Sequence, residues 1–110
     1  MAEEWHAPYD HLSPQTITVH QSIRSLMEEL EAVDWYRQRA DDCADPQLKA
    51  VLLHNMREEI EHACMVLEWL RRNHPDFAAQ MDTYLYSQGD ITEVEDRAEA
   101  GGGRSDPTRT

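Results

Sequence analysis

A carboxylate and an imidazole three residues apart on a helix project to the same side, one turn apart. The run Glu59-Ile60-Glu61-His62 supplies such a pair, and Glu29 is its companion one helix earlier. Oxygen and imidazole donors in this mix suit iron, manganese or zinc rather than calcium alone. They amount to half of a di-iron carboxylate site, which takes two Glu-x-x-His motifs and two further glutamates from four helices. A chain of 110 residues with one such set has too little length for four long helices.

The motif is weak as a string, because Glu3-Glu4-Trp5-His6 also fits it, in a polar stretch just before Pro8. Helical position separates the two. On a wheel of about 100° per residue, Glu59 falls among Leu48, Leu52, Val66 and Leu70, and His62 beside Val51, Asn55 and Trp69. Burying an unpaired carboxylate is costly unless it takes up a proton. A metal cation resolves that cost; a structural Glu–His pair at a subunit interface is the alternative. Glu29 lies on the flank of the preceding stripe, next to Leu26 and Val33, with Tyr36 two turns along the same column. Glu28 and Glu31 point to other faces. His54, Glu58 and Glu61 form a second cluster, opposite the leucines, which by spacing alone reads as a solvated acidic face.

Two long helices must position these groups. Ser13-Pro14 is a cap followed by proline and opens the first, about 14–40. Its stripe is Val19, Ile23, Leu26, Leu30 and Val33. Asp45-Pro46 repeats the signal and opens the second, about 46–72. Asn73-His74-Pro75 starts a shorter helix, about 75–86, which Gly89 stops. Residues 1–12 read as an irregular, flexible arm, 13–90 as the helical domain and 91–110 as a flexible linker, weakly helical at best before its glycines. A short connection between long helices makes an antiparallel hairpin.

The formal net charge of −12 suits attraction of cations and argues against nucleic acid, since no basic patch is available to neutralise phosphates. The first residues have no basic region or apolar run of a signal peptide, and no stretch is apolar enough to span a membrane. Cys43 and Cys64 read as reduced thiols, Cys64 at least partly buried. Trp35 and Trp69 read as packing residues.

Two hairpins related by a two-fold axis near Glu29, Glu59 and His62 would supply four carboxylates and two histidines, the ligand count of a di-iron centre. The expected fold is therefore all-α: an antiparallel two-helix hairpin plus a short C-terminal helix, dimerising into a ferritin-like four-helix bundle.

The runs Met27-Glu-Glu-Leu-Glu-Ala-Val-Asp-Trp-Tyr36, Asp45-Pro46, His54-Asn55, Glu58-Glu59-Ile60-Glu61-His62-Ala63 and Leu67-Glu-Trp-Leu-Arg-Arg-Asn73 resemble the encapsulated ferritins over about residues 14–90. The resemblance implies a ferroxidase that oxidises Fe(II) to Fe(III) with oxygen, holding two irons per dimer interface. It implies dimers assembled into a ring, typically a decamer, carried as cargo inside an encapsulin nanocompartment in the cytoplasm. Glu29, Glu59 and His62 would bind iron, with Tyr36 near the centre. Glu28 and Glu31 would form an entrance site open to calcium and other divalent cations, with Trp35 beside it. His54, Glu58 and Glu61 would form an outer metal site. The family's apolar targeting peptide has no visible counterpart, since nothing more apolar than alanine follows Val94. Two other classes stay open at this point: a rubrerythrin-like di-iron peroxidase, and a dimeric helical interaction module without catalysis.

Overall fold

The structure is a computed structural model that describes residues 4–101. It divides into two compact units after Leu67, within the second long helix. Among the described residues every regular element is helical.

In the first unit, the Ser13 side chain accepts a hydrogen bond from the Thr16 N–H at 3.1 Å, and helix α1 (Pro14–Asp42) begins at the proline. Proline fits there because the first helical N–H has no intrahelical partner. α1 runs two residues beyond the expected end at Ala40. Arg37 pairs with Asp41 at 3.6 Å one turn on, and the chain turns extended only at Cys43. Asp45 then accepts from the Leu48 N–H at 2.9 Å, opening helix α2 (Pro46–Asn73). The connection is three residues long, and Ala40 beside it is fully buried. So short a link makes the two helices antiparallel neighbours. Glu29 lies 14 residues before Cys43 and His62 lies 17 after Asp45, so at about 1.5 Å of rise per residue they arrive nearly level.

The N-terminal segment is not the unattached polar arm that its composition suggests. Residues Tyr9–His11 form a 3-10 turn. Trp5 meets Tyr9 edge to face, ring centroids 5.1 Å apart, and lies 4.3 Å from the His20 ring on α1. Glu4 approaches His20 at 3.5 Å and Arg24 at 3.7 Å.

In the second unit, the end of α2 carries a forked ion pair. Glu68 accepts from Arg71 at 2.7 Å and 2.8 Å and from Arg72 at 2.6 Å. These hydrogen bonds, Arg71's first, hold the Glu68 carboxyl down at about 2. Helix α3 (Pro75–Tyr84) ends two residues before the expected Tyr86, because Leu85 is already extended and Tyr86 adopts a left-handed φ of 63°. Gly89, at φ 87°, completes the reversal.

Residues 91–100 depart from the expected linker. They form helix α4 (Ile91–Ala100), which packs on α3. Asp90 is its cap: one carboxylate oxygen accepts the Thr92 N–H at 2.8 Å and the Thr92 hydroxyl at 2.6 Å. Val94 is buried, and Arg97 donates to the Gln88 carbonyl at 3.1 Å. The rest of the expected linker, residues 102–110, and residues 1–3 of the expected arm lie outside the described residues. No described helix is long and apolar enough to cross a membrane.

Candidate metal centre

α1 and α2 bring Glu29, Glu59 and His62 into one cluster, with a donor atom of each within 4.8 Å of the others. The Nδ1 atom of His62 lies 3.6 Å from Glu29 and 3.8 Å from Glu59. Two donors that share one metal at about 2.1 Å are themselves about 3.0–3.4 Å apart. Both distances from His62 are thus within a few tenths of an ångström of the spacing a cation needs. The Glu29 carboxyl is held above the usual carboxylate range. Hydrogen bonding with the Glu59 carboxyl is the main cause, followed by partial burial and by Glu59's charge; His62 pulls the other way. Crowded carboxyls take up a proton more readily than isolated ones, and a metal cation can relieve the same crowding.

The cluster is more open than the helical wheel implies. Glu29 and Glu59 are each 25% exposed and His62 46%. The physical reason is that two helices cover only the faces they turn to each other. A stripe wide enough to hold Leu48, Val51 and His62 then stays largely in solvent.

Glu58 and Glu61 also form a donor group, but their imidazole is His62 and not His54. Among the described residues, the expected trio of His54, Glu58 and Glu61 is not brought together as one donor group. Helical side chains lean toward the N-terminus, so His62 leans back over Glu58 while His54 leans away from it. Tyr36 stands seven residues beyond Glu29, about 10 Å along the helix axis, and does not join the donors. Its ring lies under the Arg39 guanidinium at 5.5 Å, as does the Trp35 ring at 5.7 Å. Trp35 is about half exposed rather than packed, and lines a surface hollow of about 240 Å³ with Gln38 and Arg39. Glu28 is exposed and pairs with Arg24 at 3.8 Å; Glu31 is exposed on the same helix. Cys64, expected to be partly buried, is exposed, and both cysteines are free thiols.

The profile of the EncFtn-like family matches residues 4–88. The chain belongs to the encapsulated ferritin family. It is 52% identical over 98 residues to an encapsulated ferritin-like protein of Rhodospirillum rubrum, covering 89% of this chain and 70% of the relative. It is 37% identical over 76 residues, 66% of its length, to an encapsulin nanocompartment cargo protein of Myxococcus xanthus, of which it spans 58%. A crystal structure of a Nitrosomonas europaea protein superposes with a TM-score of 0.75 at 48% identity, over 79% of this chain and 96% of that one. The fold is thus the ferritin-like helical fold of encapsulated ferritins, and the family match includes every residue of the cluster.

Proposed function

We propose that this encapsulated ferritin is a ferroxidase that oxidises Fe(II) to Fe(III) at a centre built from two copies of the chain. The observation that carries this is the level meeting of Glu29, Glu59 and His62 across the hairpin, an acid–imidazole set that amounts to half of a di-iron donor set. Two copies joined on this face would offer four carboxylates and two imidazoles to two Fe(II) ions, the substrate. Each Fe(II) gives up one electron. One dioxygen takes the two electrons and two protons and leaves as hydrogen peroxide.

The chain's own groups have distinct roles in this scheme. Glu59 of each copy bridges the two substrate positions, and Glu29 and His62 complete the donors at each. The crowding of Glu29 against Glu59 that raises the proton affinity of Glu29 is relieved when a cation arrives between them. Glu28 and Glu31, exposed on a chain of net charge −12, draw Fe(II) toward the centre from the solvent. Tyr36 and Trp35, beside Arg39, line the approach. Glu58 and Glu61 hold cations outside the centre. Dimers assemble into a ring, most simply a decamer. The Myxococcus relative is named as cargo of an encapsulin nanocompartment, and we extend that partnership, and a place inside such a compartment in the cytoplasm, to this chain.

Stopped-flow absorbance under air, with circular dichroism alongside, tests the centre. Glu59→Ala and His62→Ala should each lower the initial rate of Fe(III) formation at least about a hundredfold while leaving the chain helical. Wild-type rates in both variants overturn the assignment. Stoichiometric metal bound by the wild type but no oxidation by oxygen would favour a role in storage alone.

A further inference from the structure

We infer that the N-terminal segment tunes the cation entrance by sharing Arg24 with Glu28. The inference rests on Glu28 and Glu31 being that entrance. On α1, His20, Arg24 and Glu28 follow one another at four-residue spacing and so share a column. The Arg24 Nε lies 3.7 Å from Glu4 and 3.8 Å from Glu28. One guanidinium is thus divided between a carboxylate of the N-terminal segment and a carboxylate of the entrance. Any cation that approaches Glu28 competes with Arg24, and Glu4 is the alternative partner that Arg24 can take.

Glu4 is held in that place by the rest of the segment. His20 stands 3.5 Å from its carboxylate. The adjacent Trp5 lies against the His20 ring at 4.3 Å and is braced by Tyr9 at 5.1 Å. The side chain of Glu4 is 28% exposed, against 48% for Arg24 and 67% for Glu28. The Glu4 contact is therefore the better shielded of the two, and the Glu28 contact the one that solvent and ions weaken most. With the segment seated, Arg24 is shared and gives Glu28 only part of its charge. With it unseated, Arg24 turns wholly to Glu28 and opposes cations one turn from Glu31. Glu4 and Trp5 act here as positioning residues, through Arg24.

Terbium(III) luminescence sensitised by tryptophan reads the entrance directly, since Trp35 lies one turn beyond Glu31 on α1. The relevant signal in the full chain is the part that Glu28→Gln together with Glu31→Gln removes. Glu4→Gln should weaken terbium affinity about two- to fourfold at low salt, and Trp5→Ala should do the same by unseating Glu4. In an Arg24→Gln background the Glu4→Gln effect should fall to less than half, and Arg24→Gln alone should tighten binding. An equal Glu4→Gln effect in both backgrounds, or none in either, overturns the inference while leaving the entrance intact. If Glu28→Gln with Glu31→Gln removes no signal, the entrance itself is wrong and the inference falls with it.

Discussion

The three donors Glu29, Glu59 and His62 show how far single residues can be read from a string of letters. Their meeting follows from helix periodicity and from a connection too short to allow any other partner, and both are visible in the sequence. Their openness is not visible, because a helical wheel shows which residues share a side but not what covers that side. The imidazole of the outer group was also hidden: Glu58 is four residues from both His54 and His62, and only the lean of helical side chains chooses between them. Glu29 carries a prediction at this scale. Its raised pKa means that its contribution to the metal-free fold is fully present below the usual carboxylate range and is lost as pH rises through the raised value. In chelator, Glu29→Gln should therefore be more stable than the wild type at neutral pH, by about 0.5 kcal/mol given its partial exposure, and the gain should vanish in mild acid. Thermal unfolding at two pH values measures it. A variant markedly less stable at neutral pH would contradict the geometry, and the same variant should bind iron poorly.

Among the elements, α1 and α2 announce themselves through Ser13-Pro14 and Asp45-Pro46, and the structure uses both signals as caps. α4 was the element missed. Its residues are poor in large apolar side chains, and the stripe of Ile91, Val94 and Ala98 is too short to stand out from a linker. The signal that could have found it is local: Asp90 with Glu93 three residues later is the spacing of a capping box. The Asp90 cap makes α4 depend on one carboxylate. Asp90→Ala should cost about 1 kcal/mol of helix stability, seen as faster amide exchange through residues 91–100, with iron oxidation unchanged. Protection that stays at the wild-type level would show that Val94 and the Arg97 contact suffice without the cap.

At the scale of the whole molecule, the described residues bury few hydrophobic side chains: Ala40, Ala63, Leu70 and Val94. Met27, Leu30, Leu48, Val51, Ile60 and Met65 stay about half exposed or more. So much apolar surface on so small a chain is most simply explained by association, which no property of an isolated sequence reports. Val51 shares the stripe of His62, so Val51→Glu should prevent pairing of copies on that face. Sedimentation should show a smaller species, and iron oxidation should fall with it although every donor residue remains. Loss of activity in a fully associated variant would point to damage within the centre instead. Fe(II) should shift the wild type toward larger species by mass action.

The half-open cluster of Glu29, Glu59 and His62 also has a consequence in time. On the proposed two-copy centre, a newly made chain holds an incomplete set of donors and should not yet turn oxygen into peroxide. Oxidation should then begin only when a second copy arrives, and in dilute solution the rate should rise with the square of chain concentration before levelling to first order. Dilution series of the initial rate would show that change of kinetic order. Peroxide would then be generated only where copies are crowded together, and a ribosome releasing single chains would release nothing harmful.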